Sequence, residues 1–303
     1  MIKLVASDMD GTLLDENSQV PPETFGLIRQ LDEAGIRFAV SSGRRLDTLR
    51  EFLAPVADCI DFVASNGAQV MVAGELVDRE VFSHMALRRL KKVVDMFDCL
   101  HMAVFDEKSS YLLDEPERFE LEADKDLRQA VVVHEVPAPE TAIIKASVYC
   151  DTPGNVMDMA YVLERELGDV FVFAPSGRSW IDVMQRGVSK ATGLQQVLER
   201  RGIRADQVMA FGDSMNDYEL LTSVGHPIAM GNGRYAVKQI SERTVGTNAE
   251  HAVQHELRTL IDSAGETLPP ILKDWRRPPI FDRPRWEFEV DDIKNYSIER
   301  IVF

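Results

Sequence analysis

Two aspartates one residue apart follow the first apolar run of the chain, where residues 2–7 lead directly into Asp8-Met9-Asp10-Gly11-Thr12. Like charges at that spacing repel, and both carboxylates stay ionised where a cation sits between them. Oxygen ligands without imidazole or thiolate companions point to Mg²⁺. Gly11 and Thr12 turn the chain away and leave the two acids free to converge. Ser41-Ser42-Gly43-Arg44 offers a hydroxyl and a small, flexible backbone at a helix start, which is how a phosphate oxygen is usually received. Lys190, at another helix start, is a point charge able to neutralise a phosphoryl group. Gly212-Asp213-Ser214-Met215-Asn216-Asp217 brings a second pair of acids. Singly, these segments read as a solvated turn, a helix N-cap and a surface lysine. In this order at strand ends, they describe one metal-phosphate site.

The elements that must position them follow from hydrophobic patterning. Residues 2–7, IRFAVS (36–41), DFVAS (61–65), VMAF (208–211) and PIAM (227–230) are short apolar runs ending in small or polar residues, as buried parallel strands do. Phe25, Ile28 and Leu31 repeat at helical spacing, as do Leu194, Val197 and Leu198 behind Ser189, a good N-cap. Strand and helix alternate, so the fold class is α/β, a Rossmann-like doubly wound parallel sheet, and open sheets of this kind bind ligands at the carboxyl ends of their strands. Residues 83–186 differ. A helix with Leu87, Leu90, Val94 and Phe97 on one face precedes the strand candidates LHMAVF and SSYLL, and IIKASVYC and VFVFAP bracket a second helix at 154–167. This predicts an antiparallel sheet with helices on one face, an α+β cap inserted into a discontinuous core of residues 1–82 and 187–263. A C-terminal extension, 264–303, holds 5 of the 14 prolines and two of the three tryptophans, Trp275 and Trp286. Its WEFEV alternation suggests a strand more than disorder, and its role, docking on the core or bridging to a second subunit, is left open.

Composition excludes several classes. The chain has 303 residues, 45% of them apolar and 28% charged, which suits two ordinary globular units. Lys and Arg number 34 against 50 Asp and Glu, and no segment is a basic patch, so a nucleic-acid partner is not expected. Cys59, Cys99 and Cys150 are too few and scattered for a disulfide framework, and read as buried thiols in a reducing compartment. No secretory signal and no run of 18 apolar residues is present. The expectation is a soluble cytoplasmic protein with no membrane partner, monomeric or homodimeric.

DMDGTLLD, SSGR, GVSK and GDSMND, in that order, resemble the four motifs of the haloacid dehalogenase superfamily of phosphatases. The long insertion between the second and third, with SNGA at 65–68 and MGNGRYAVKQ at 230–239, resembles the Cof-type branch with a type IIB cap, over about residues 1–262. The resemblance implies that Asp8 is the nucleophile forming an aspartyl-phosphate, with its other oxygen on Mg²⁺. Asp10 would then be general acid and base. It implies that the Met9 amide, Ser42, Gly43, Lys190 and Asn216 hold phosphate. Asp8, the Asp10 carbonyl, Asp213 and Asp217 would form the metal shell, Asp217 either orienting Lys190 or reaching the metal through water. The substrates implied are small phosphorylated metabolites, sugar phosphates first, with flavin mononucleotide and pyridoxal phosphate open. A phosphotransferase or phosphomutase using the same aspartyl-phosphate is the alternative reaction, and a non-catalytic phosphometabolite sensor the alternative class. The family's acid-acid-Gly-Val appears here as Asn248-Ala249-Glu250-His251-Ala252-Val253, and the tail has no counterpart.

His251 and His255, four apart on an expected helix, lack a third ligand nearby and receive no role. The stretch 106–126, with nine acids against three bases, reads as a solvated face before it reads as a binding surface. Lys145, in a cap strand, faces either solvent or the cleft.

Overall fold

The computed structural model describes residues 1–114, 119, 127, 130–152, 154–176 and 179–263. The tail 264–303 and most of the acidic stretch, 115–118 and 120–126, lie outside the described residues.

Eight strands form the larger sheet: β1 (Leu4–Ser7), β2 (Arg37–Ser41), β3 (Ile60–Ala64), β4 (Gln69–Val72), β5 (Glu75–Arg79), β12 (Val208–Gly212), β13 (His226–Ala229) and β14 (Arg243–Thr244). Their order is β14-β13-β12-β1-β2-β3-β4-β5, parallel from β14 to β3 and antiparallel from β3 to β5. The expected parallel strands are all present; the β4–β5 hairpin, turning through Ala73 and Gly74 with positive φ, is an addition. Apolar side chains alternate along each strand to both faces. Val5, Phe38 and Phe62 join one core with α1 (Glu23–Glu33), α2 (Leu46–Phe52) and α8 (Ala252–Asp262). Leu4, Ala39 and Val63 join the other with α5 (Lys190–Arg201), α6 (Tyr218–Thr222) and α7 (Tyr235–Ile240). Helices thus cover both faces, as a doubly wound sheet requires.

The second sheet has β6 (Leu100–Phe105), β7 (Ser110–Leu112), β8 (Val131–Val132), β9 (Lys145–Cys150), β10 (Phe171–Ser176) and β11 (Trp180–Gln185), in the order β10-β11-β9-β6-β7-β8. It is antiparallel except for the β7–β8 pair, which is parallel. Both helices, α3 (His84–Val94) and α4 (Val156–Leu167), pack on one face through Leu87, Leu90, Val94, Val156, Leu163 and Leu167. α3 stops at Val94, and Phe97 reaches the same cluster from the following turn. The other face carries Phe105, Phe119, Tyr149 and Trp180.

Candidate active site

β1 ends at Ser7, so the next residue leaves the sheet at its carboxyl edge. The amide of Asp8 still donates to the Phe211 carbonyl at 3.1 Å, the last rung shared with β12. A tight turn follows, with Leu13 and Leu14 donating to the carbonyls of Asp8 and Met9 at 3.2 and 2.9 Å. Gly11 takes φ +73°, and a Cβ there would lie 2.6 Å from Oδ2 of Asp213, so glycine lets the two acidic loops close on each other. Asn232, in the MGNG segment, holds the Gly11 carbonyl at 2.7 Å, and Asn248 holds that of Leu14 at 2.9 Å. The segment that departs from the family pattern therefore still clamps this turn.

α5 starts with a reciprocal cap: the Thr192 amide donates to Ser189 Oγ at 3.3 Å, and the Ser189 amide to Thr192 Oγ1 at 2.9 Å. Lys190, its first residue, is fully buried. Its Nζ donates to Oδ1 of Asp8 and to Oδ1 of Asp217, each at 2.6 Å. Asp217 turns its other oxygen back on its own loop, accepting the amides of Asp213 and Ser214 at 3.0 Å each. Burial alone would lower the pKa of Lys190; Asp217 and Asp8 outweigh it and hold the ammonium charged. Burial, then the charge of Asp217, raises the Asp8 carboxyl well above its ordinary range, even against Lys190. Asp213 is pushed up to about 7 by burial first and Asp217 second.

These shifts record a shortage of positive charge. Asp8, Asp213 and Asp217 present oxygens that all lie within 4.8 Å of one another, against one ammonium. An oxygen-only donor set with excess negative charge fits a hard divalent cation such as Mg²⁺. Thr12 Oγ1 donates to Oδ1 of Asp213 at 3.1 Å and orients it. The Asp10 side chain is outside this cluster, bound instead by Arg44 through Nε at 2.7 Å and Nη2 at 2.6 Å.

Ser42 is buried just beyond β2, with its Oγ accepting the Arg44 amide at 3.1 Å and its carbonyl accepting the Asn66 amide at 2.9 Å. Asn66 lies in a turn of three consecutive positive φ values, 50° at Ser65, 55° at Asn66 and 99° at Gly67. A Cβ on Gly67 would come 2.1 Å from the Ser189 carbonyl, so this turn rests directly on the start of α5. The strained backbone aims the Asn66 side chain between Asn216 and Asp182. Its Oδ1 accepts from Asn216 Nδ2, and its Nδ2 donates to Oδ2 of Asp182 on β11, both at 3.1 Å. Among the described residues, the Oδ1 of Asn216 is buried without a partner.

Sequence reasoning singled out neither Arg44 as a partner of Asp10, nor Asn66, nor Asp182. The SNGA segment carries no local sign of this contact, and Asp182 has one, an acid inside the apolar strand WIDVMQ. Elsewhere, His251 precedes α8 with φ 54°, so it and His255 do not share a helical face. Lys145, on β9, holds its Nζ 5.0 Å from the Phe105 ring centre. Among the described residues no helix is long and apolar enough to cross a membrane.

Comparison with known proteins gives a concordant picture. Residues 5–257 match the family model of haloacid dehalogenase-like hydrolases. A 5-amino-6-(5-phospho-D-ribitylamino)uracil phosphatase of Escherichia coli (strain K12) is 29% identical over 254 residues, 83% of this chain and 93% of that protein. An HMP-PP phosphatase of Citrobacter koseri is 26% identical, over 87% of this chain and 97% of its own. Among solved structures, a Streptococcus mutans protein superposes with a TM-score of 0.79 at 23% identity, covering 86% of this chain and 100% of that one. A haloacid dehalogenase-like hydrolase from Bacillus subtilis gives 0.74 at 22%, with 86% and 100% covered.

Proposed function

The chain belongs to the haloacid dehalogenase-like hydrolases, among the Cof-type phosphatases acting on phosphoric monoesters, and from that membership we propose that it is a Mg²⁺-dependent phosphatase of small phosphorylated metabolites, working through a phosphoaspartate on Asp8. The observation that carries this reading is the buried Asp8 at the end of β1, with Lys190 on Oδ1 and Asp213 and Asp217 beside it.

Lys190 occupies one oxygen of Asp8 and leaves Oδ2 for attack. Ser42, Gly43, Lys190, Asn216 and the Met9 amide surround the phosphoryl group, and their donors meet the charge that builds on its oxygens. Asp8, Asp213, Asp217 and the Asp10 carbonyl would hold Mg²⁺, which when bound supplies the positive charge that keeps these acids ionised and withdraws charge from the phosphoryl oxygens. Asp8 attacks phosphorus in line, and the ester P–O bond breaks as Asp10 gives its proton to the leaving oxygen. Asp10 then takes a proton from a water that attacks the phosphoaspartate, which restores Asp8 and frees phosphate. Since Arg44 holds both Asp10 oxygens, one must be released for this exchange.

In this reading, residues 1–82 and 187–263 are the catalytic core and 83–186 a type IIB cap over the leaving group. Supporting it, Arg45 Nη1 reaches the carbonyls of Asp106 and Ser109 at 3.4 and 3.3 Å, and Arg79 pairs with Glu107 at 2.7 Å. The ribityl phosphate in the name of the Escherichia coli relative supports a sugar-like leaving group. The acidic, cysteine-poor chain suits the cytoplasm.

The test is phosphate release from para-nitrophenyl phosphate and a panel of sugar phosphates, with and without Mg²⁺, for the native sequence beside Asp8→Asn. Metal-dependent release that the substitution abolishes is expected. Release unaffected by Asp8→Asn, or none from any ester, overturns the proposal.

A further inference from the structure

Asp182 is a cap group that lies against Gly43 of the proposed phosphate-binding loop. It lies on β11 between Ile181 and Val183, whose side chains join the core under α3 and α4, so by alternation its own points to the helix-free face. Strand register places it in a row with Ala103, Ser147 and Ala174, where small neighbours leave its carboxylate as the prominent group. It is buried, yet among the described residues it forms no ion pair. Neutral donors hold it: Asn66 Nδ2 at 3.1 Å and Ser147 Oγ at 3.3 Å. Lys145, two register rows away on the same face, keeps its ammonium over Phe105.

Its position relative to the core is equally specific. A Cβ on Gly43 would lie 3.0 Å from Oδ2 of Asp182 and 3.2 Å from Nδ2 of Asn66. Through Asn66 it is joined to Asn216, whose buried Oδ1 has no partner among the described residues. A phosphate seated on Ser42 and Gly43 therefore has a carboxylate directly on its cap side. That carboxylate repels a second anion and leaves lone pairs for donors.

We propose that Asp182 is a specificity-determining residue: it accepts a hydrogen bond from a hydroxyl or amino group of the leaving alcohol next to the ester, and excludes leaving groups that carry a carboxylate or a second phosphate. This rests on the phosphatase reading of the site and narrows its substrates to monophosphates of polyols, sugars and amino-bearing alcohols.

Calorimetric binding to the full chain carrying Asp8→Asn, with Mg²⁺ present, compares ribitol 5-phosphate with 3-phosphoglycerate. The polyol phosphate should bind at least about tenfold more tightly, since like charges brought together across a binding site are strongly disfavoured. Adding Asp182→Asn should shrink that ratio about tenfold by the same reasoning, with Asp182→Ser as a second variant, whereas Ser147→Ala, which keeps the charge, should preserve it. Thermal unfolding checks that each variant is folded. A ratio that Asp182→Asn leaves within about twofold, or no binding of either ester, overturns the assignment. The native sequence on para-nitrophenyl phosphate separates the two readings. Hydrolysis with an unmoved ratio removes Asp182 alone, while no hydrolysis removes the phosphatase reading and leaves the ratio to judge Asp182.

Discussion

Arg44 grips Asp10 through two parallel hydrogen bonds, Nε to Oδ2 at 2.7 Å and Nη2 to Oδ1 at 2.6 Å, and its guanidinium carbon lies 4.8 Å from the ring centre of Phe52. The fork fixes both the direction of the carboxylate and the plane in which it can turn. Arg44→Gln keeps much of the length and loses the charge and the fork. Phosphate release should fall by about a hundredfold, the lower end of what a positioned acid or base supplies. The Asp10 end of the pair is exposed, so stability should change by no more than about 1 kcal/mol. Steady-state kinetics beside a thermal melt checks this; a large drop in melting temperature with unchanged turnover would count against it.

Lys190→Met removes the cation between Asp8 and Asp217 while keeping the apolar stem. Two buried carboxylates then face each other uncompensated, a loss on the order of 3–5 kcal/mol in the metal-free protein at neutral pH. Urea unfolding measures it, and added Mg²⁺ should return part of the loss.

The native sequence should show a matching pH dependence. Asp213 is raised to about 7 and Asp8 is raised as well, so the folded protein binds more protons than the unfolded chain between the ordinary carboxylate range and about 7. Stability from these groups is therefore full below about pH 4 and lost as pH rises through 7. Melting temperature of metal-free protein, corrected with an Asp213→Asn control, should decline over that window. Saturating Mg²⁺ should flatten the decline, because the cation favours the ionised acids.

Gly67→Ala places a methyl 2.1 Å from the Ser189 carbonyl at φ +99°, so either the Asn66 turn or the start of α5 must move. The expected cost is at least about 2 kcal/mol, from strain and overpacking together. Denaturation measures the cost, and weakened phosphate binding would report the displacement of Lys190.

Arg201→Ala provides a contrast far from the chemistry. Asp61 is fully buried on β3, accepting from Arg201 at 2.9 and 2.6 Å and from the Ala73 amide at 3.0 Å. Loss of the arginine should cost about 3–5 kcal/mol by leaving a buried carboxylate short of a partner. Turnover of the remaining folded enzyme should be unchanged, as kinetics at low temperature would show.

Asp8, Ser42, Lys190 and Asp213 were legible in the sequence because each follows an abrupt change from apolar to small or polar residues, and that change is what a buried strand or helix start leaves behind. The doubly wound sheet was legible for the same reason. Asn66, Arg44 and Asp182 were not, because their roles arise from approach between segments distant in the chain: Asn66 meets Asp182 across 116 positions. No local pattern encodes such a contact. The β4–β5 hairpin was missed because its outer strand, ELVDR, is mostly exposed and lacks the apolar signature of the parallel strands. The parallel β7–β8 pair escaped notice because a two-residue strand leaves too little periodicity to read.

The register Leu4↔Val208 has a consequence for synthesis. The two residues are 204 positions apart (208 − 4), so at roughly 5–20 residues per second a ribosome takes about 10–40 s to supply β1 with that neighbour. Until then one edge of β1 is open, and Asp8 is an ordinary hydrated acid. Lys190 also emerges late, so the charge-crowded pocket comes into being only when nearly all of the sheet is present to enclose it. A truncated nascent chain therefore has no assembled site with which to capture a cation or a phosphate ester.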